Sequence, residues 1–119
     1  AVDLASGDVR WEVPLGQVPA LAGVPGSETW GSLNVGGPMM TSGGLVFVAA
    51  TMDPVLRAFD QDTGRLLWRA ELPTGAHATP MTYEVGGRQY VVVAAGGHAS
   101  LGSAMGDWLV AFALPGPLH

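Results

Sequence analysis

No cysteine occurs anywhere in the sequence, so neither a disulfide nor a thiolate metal centre can form, and the redox compartment is left open. Positive charge is scarce: five Lys and Arg stand against ten Asp and Glu, a formal charge of −5. That balance argues against a nucleic-acid surface or a polybasic membrane patch. No apolar run approaches the roughly 18–20 residues that span a bilayer, and no signal-peptide pattern is present. Either the chain is cytosolic or a targeting segment lies outside it. The second option is favoured, because Ala1 is not an initiator Met and falls directly inside a motif. Sustained i, i+3, i+4, i+7 apolar spacing is also missing, so little helix is expected.

What the sequence does have is turn formers and short apolar runs. Its 119 residues, one domain's length, include 18 Gly and 9 Pro, and 48 % are apolar, enough for a core broken by many tight turns. The chain also repeats itself. "AVDLASGDVRW" (1–11) and "AFDQDTGRLLW" (58–68) align at one offset, matching Ala1 with Ala58, Asp3 with Asp60, Ser6 with Thr63, Gly7 with Gly64 and Trp11 with Trp68. "PMMTSGGLVFVAA" (38–50) likewise resembles "PMTYEVGGRQYVVVAA" (80–95). A unit of about 40–50 residues with four strands is the signature of a propeller blade.

The fold expected is therefore all-β, with antiparallel four-stranded blades of a β-propeller. Residues 1–13 would end one blade, 14–35 form a Pro/Gly-rich loop insert, 36–73 make a complete blade, and 74–119 supply strands A–C of the last. The predicted strands are 38–41, 45–51, 55–60 and 66–72 in the complete blade, then 79–85, 89–95 and 108–114. The chain is expected to be a piece of a larger ring, with an unpaired strand edge at each end. Such edges invite self-association, the N-terminal D strand of one chain completing the A–B–C sheet of another.

The repeated motif has a structural explanation. Asp60 can accept from N–H groups two or three residues on, Thr63 can add a hydroxyl bond, and Gly64 permits the positive φ of a tight turn. Trp68 offers a flat face to a neighbouring sheet and an indole N–H to a carbonyl, with the small Ala58 leaving it room. If fully buried, Trp68→Ala should cost about 3–5 kcal/mol. Asp3, Gly7 and Trp11 would play the same parts in the preceding blade.

This motif closely resembles the tryptophan-docking motif of the PQQ-dependent (pyrroloquinoline quinone) quinoprotein dehydrogenases. The ordered set Asn-x-Gly-Gly-Pro, Gly-Gly-Leu-Val-Phe, Met-Asp-x-x-Leu-Arg-Ala, Pro-Met-Thr-Tyr-Glu and Ala-Ala-Gly-Gly-His, spread over about residues 30–115, is similar to the C-terminal part of the membrane-bound glucose dehydrogenases and their quinate/shikimate relatives. The resemblance implies about two blades of an eight-bladed propeller. It also implies oxidation of a sugar or cyclic polyol at PQQ with a divalent cation, Ca or Mg, and transfer of electrons to ubiquinone at the periplasmic face of the inner membrane. It places Asn34 near the quinone ring. The main cation ligands, the stacking tryptophan and the base of such enzymes would lie upstream, so this chain alone should be inactive. His77 stands where relatives often have Gly or Gln, which leaves the substrate open.

Read without the resemblance, Asn34 is a turn asparagine before Gly36 and Gly37, and Trp30 covers a neighbouring blade. His77, His98 and His119 are too scattered for a zinc spacing. His77 and His98 sit at strand ends, where a propeller presents its faces. Asp53 and Asp107 begin turns or strands, Met39, Met40 and Met81 suit packing, and no carboxylate pair suggests an acid/base couple. A non-catalytic propeller scaffold for protein partners is the alternative, but such a scaffold has no reason for the Asn34 loop.

Overall fold

A computed structural model describes residues 1–97 and 105–114. Seven strands form two antiparallel sheets. The first has the order β1-β2-β3-β4, from β1 (Met39–Met40), β2 (Leu45–Val48), β3 (Val55–Asp60) and β4 (Leu66–Glu71). The second has the order β5-β6-β7, from β5 (Met81–Val85), β6 (Arg88–Ala95) and β7 (Trp108–Ala113). Sequential meanders of this kind need only short reversals between neighbours, which the Gly-rich turns supply. Helix is confined, among the described residues, to single 3-10 turns at Pro19–Leu21 and Ser27–Thr29. The chain is all-β, as expected.

Several strands are shorter than their apolar runs. The second stops at Val48, although Ala49 and Ala50 continue the run, because Ala50 turns its carbonyl to Val35 N and Thr51 joins a polar cluster. The first keeps only Met39 and Met40, since Thr41 enters the turn and donates its N–H to Leu45 O. Thr79 also lies outside β5, and its hydroxyl is engaged elsewhere.

Alternation decides which side chains meet. Phe47, Leu56, Ala58, Val91 and Val93 are nearly inaccessible and form the core between the two sheets. The opposite face of the first sheet carries Val48, Ala50 and Phe59, covered in part by Val13 and Leu15. Among the described residues the first sheet is thus covered on both faces and the second on one. Met81, Tyr83, Val85 and Leu109 are exposed, and Tyr83 and Tyr90 stack with their centroids 5.1 Å apart. Met39 packs on the core, but Met40 and Met81 are exposed, because each points away from the intersheet core.

The two copies of the motif fold into the same turn. Asp3 Oδ1 accepts from Ala5 N and Ser6 N, and Asp60 Oδ1 accepts from Asp62 N and Thr63 N. Ser6 Oγ accepts from Asp8 N as Thr63 Oγ1 accepts from Arg65 N. Backbone bonds Gly7 N to Asp3 O and Gly64 N to Asp60 O close both loops at 2.7 and 2.9 Å. These N–H donors hold the Asp3 and Asp60 carboxyls below the usual value of 3.8.

The two tryptophans differ. Trp11 lies on the second turn, its Nε1 donating to Gln61 O at 2.8 Å and its ring stacked near Phe59. A Cβ on Gly64 would stand 2.5 Å from Trp11 Cδ2. Trp68 sits opposite Ala58 across the ladder, at a bulge where Phe59 pairs with Leu66. It meets Phe112 of the next sheet edge-on at 5.3 Å and remains 39 % exposed. Full burial of Trp68 is not what the structure has. The stretch around Phe112 has no Asp-x-x-Thr-Gly turn to receive the indole, so the cost of Trp68→Ala falls below the fully buried range.

Gly7 and Gly64 both have positive φ, 77° and 73°, but nothing lies within 4 Å of a Cβ at Gly7. Gly7→Ala should therefore cost only the left-handed backbone penalty, about 1–2 kcal/mol. Gly64→Ala should cost roughly 2 kcal/mol more, through the lost aromatic contact and indole hydrogen bond. Urea unfolding of both variants checks this, and equal losses would show that the indole does not depend on the bare glycine.

Candidate functional site

The insert between the two copies stands on the end of β2. Ser32 N donates to Leu15 O, which brings the two limbs of the loop together at their base. Met52 N donates to Ser32 Oγ, fastening that base to the first sheet. Gly16 fits against Thr51 and Ser32, with its absent Cβ position 2.6 Å from the Thr51 side chain. Gln17 Nε2 reaches the buried Ser27 hydroxyl and ties the interior of the loop.

Under this base lies a polar cluster that sequence reading did not identify. Asp53 and Arg57 are 15 % and 12 % exposed and form a two-pronged ion pair, with Arg57 Nη1 3.1 Å from Asp53 Oδ1. Thr51 donates to Asp53 and accepts from Arg57, and the Gln17 backbone N–H faces the carboxylate and helps to lower its pKa. Burial pushes the Asp53 carboxyl up. The Arg57 and Thr51 hydrogen bonds, the guanidinium charge and the Gln17 N–H outweigh it, so the net shift is below 3.8. Asp53, expected only to open a turn, is instead one half of this ion pair. The available signal was the i, i+4 spacing of Asp and Arg in "MDPVLR", a spacing more familiar from helices than from a loop entering a strand.

Asn34 follows Ser32 by two residues, is exposed, and lines two hollows. The larger, about 780 Å³, lies between residues 1–15 and the first sheet and is bordered by Met40, Val46 and Phe59. The smaller, about 600 Å³, is bordered by Glu12, Thr29, Trp30 and Ser32. Next along the chain, Val35 N donates to Ala50 O at 2.9 Å and Gly37 N donates to Thr79 Oγ1 at 3.0 Å. Gly36 between them has φ 130°, and a Cβ there would stand 2.9 Å from His77 O and 3.2 Å from Ala50 Cβ. Only glycine allows the backbone to pass so close to both sheets.

The sequence candidates therefore fall in several places. Asp3 and Gly7 stay within the first turn and Asp60 and Thr63 within the second, Trp11 alone joins the two through Gly64 and the Gln61 carbonyl, and Ala58 and Trp68 face the second sheet. Gln61, whose carbonyl receives the indole, was missed because any residue can supply a carbonyl. Asn34 is separate, on the insert. The His77 backbone carbonyl comes near Gly36, two residues on. Trp30 is 61 % exposed and lines the smaller hollow. Asp107 is exposed just before β7. His98 and His119 lie outside the described residues.

Asn34 offers an amide that can donate to or accept from a carbonyl-bearing ring, and the Gly36 passage gives the backbone close approach. This donor set fits one edge of a quinone. No group of three or more His, Cys, Asp or Glu that could hold a metal ion occurs among the described residues.

Residues 1–91 match the family described as "PQQ: Glucose/ethanol/alcohol dehydrogenase, beta-propeller domain". Quinoprotein glucose dehydrogenase A of Acinetobacter calcoaceticus is 48 % identical over 96 % of this chain, and quinoprotein glucose dehydrogenase of Escherichia coli K12 is 47 % identical over 97 %. The chain spans 15 % of the length of each. Among solved structures, a europium-containing methanol dehydrogenase superposes with a TM-score of 0.51 at 38 % identity, covering 54 % of this chain and 11 % of that one.

Removing Asp53 would strand Arg57 in a largely buried position, so Asp53→Ala should cost about 3–5 kcal/mol at neutral pH. The folded-state pKa of Asp53 lies below its ordinary 3.8. Its stabilisation is thus complete above that pH and lost as pH falls through the folded value. The gap between the unfolding midpoints of the native and Asp53→Ala chains should narrow as pH falls below 3.8. A gap that stays constant down to acid pH would show that the ion pair contributes nothing.

Proposed function

The chain belongs to the PQQ-dependent quinoprotein dehydrogenases, and from that premise we propose that it serves as the part of such an enzyme that brings Asn34 to the cofactor. The parent oxidises a sugar or cyclic polyol, as the glucose dehydrogenase names of its relatives suggest. It uses PQQ with a divalent cation, Ca or Mg, and passes electrons to ubiquinone at the periplasmic face of the inner membrane. The observation that carries the reading is the placement of Asn34, on a loop pinned on both sides and opening onto two hollows. A solvated turn asparagine would need no such fastening.

When bound, PQQ supplies the two-electron acceptor for the substrate's alcohol carbon. The residues of this chain bind and orient. The Asn34 amide would hydrogen-bond the edge of the ring, and a directed bond of this kind fixes orientation as well as adding affinity. The Asp53–Arg57 pair and Ser32 hold the base of the loop, so the amide does not wander with the insert. The docking turns keep neighbouring sheets in fixed relation, which a site shared among blades requires. Cation ligands and the proton-accepting base are assigned to other parts of the parent, and the isolated chain is inactive on this reading.

We also propose that the isolated chain self-associates. Among the described residues β7 has no strand on its outer edge, and the outer face of its sheet carries exposed Met81, Tyr83, Val85 and Leu109. A second copy could pair that edge by adding its N-terminal segment as a strand.

In the full-length protein, Asn34→Ala should lower PQQ-dependent glucose turnover about tenfold, the worth of one directed hydrogen bond. Wild-type turnover in that variant would remove Asn34 from the site. For the isolated chain, light scattering at rising concentration should reveal dimers or larger species, and a strict monomer would rule out the association.

A further inference from the structure

We infer that Thr79 is a positioning residue for Asn34, acting across the join between the two sheets; the inference rests on the cofactor-facing role just given to Asn34. The two sheets meet through Phe47, Leu56, Ala58, Val91 and Val93, an apolar contact. Apolar packing is non-directional, so it brings the sheets together without settling how a loop on one sits relative to the other. The Asn34 segment crosses that join. Val35 N is held by Ala50 O at the end of β2, and Gly37 N is held by Thr79 Oγ1 ahead of β5. The Gly37–Thr79 bond is a directed link between this segment and the chain leading into the second sheet.

The geometry around the bond leaves little slack. Gly36 is wedged between the Ala50 methyl and the His77 carbonyl, and a Cβ on Gly37 would stand 2.9 Å from Thr79 Oγ1. A β-branched residue holds its hydroxyl in few rotamers, so threonine aims Oγ1 at the segment more firmly than serine would. Thr79 is itself exposed and outside the core, so its replacement can alter the loop without unfolding the blade. It touches neither of the hollows that Asn34 lines, and any effect on the cofactor must pass through the loop.

The test uses full-length protein, with Thr79→Val, Thr79→Ser, Asn34→Ala and the Thr79→Val/Asn34→Ala double variant. PQQ is titrated into each apoprotein and followed by tryptophan fluorescence, and kcat and KM for glucose are measured separately. Thr79→Val should weaken PQQ binding about tenfold, the scale of one lost hydrogen bond, with the thermal midpoint little changed. Thr79→Ser should stay within about threefold of wild type, because it keeps the acceptor. In the double variant, Thr79→Val should add less than about twofold to Asn34→Ala, since the group it positions is already gone. Wild-type PQQ affinity in Thr79→Val, a serine variant as impaired as the valine one, or multiplying effects in the double variant would each overturn the inference. If Asn34→Ala itself leaves affinity and turnover unchanged, the cofactor-facing role falls, and the positioning role falls with it. If Asn34→Ala is impaired while Thr79→Val is not, only the positioning role falls.

Discussion

The hydrogen bond from Trp11 Nε1 to Gln61 O is the contact on which the arrangement turns. It requires a turn that faces its carbonyl outward, a glycine that leaves the indole room, and a tryptophan at a fixed distance along the preceding segment. Each half of that requirement is local. The Asp60 carboxylate organises the turn by accepting N–H groups within three residues, and Gly64 supplies both the positive φ and the bare surface. The join itself is then directional in a way that apolar sheet contact is not. Where the receiving turn is missing, as beyond Trp68, the same side chain settles for two aromatic edges and stays partly in solvent.

Much of this was legible in the residues. The offset repeat marks both turns, because capping by Asp and Thr and a positive-φ Gly are read from side-chain chemistry alone. The short apolar runs between turn formers mark the seven strands described. Strand ends were less legible: Ala49 and Ala50 look like strand, yet Ala50 O is taken by Val35, a partner far away in sequence. The burial of Trp68 was also overestimated, since the motif shows a tryptophan ready to dock but not whether a partner turn follows in space.

At the Asn34 site the division is sharper. The Asn-x-Gly-Gly element flags a loop where backbone must pass closely, and Gly36 does so between His77 O and Ala50 Cβ. What holds that loop was hidden. The Asp53–Arg57 pair, Ser32 Oγ and Thr79 Oγ1 are common surface residue types whose meaning comes only from which backbone groups they reach. Three-dimensional proximity to residues 17, 52 and 37 gives them roles that no spacing announces.

The two matching turns have a consequence for how such a chain is made. Every bond that closes them spans five residues or fewer, so neither turn needs the rest of the sheet in order to form. Loops of this size close in roughly 10–100 ns, far faster than a ribosome adds the next residue at about 5–20 per second. During synthesis Trp11 emerges well before the turn that receives it. The turn at residues 60–65 can therefore be shaped before its sheet is complete, ready for the indole made earlier to latch onto it.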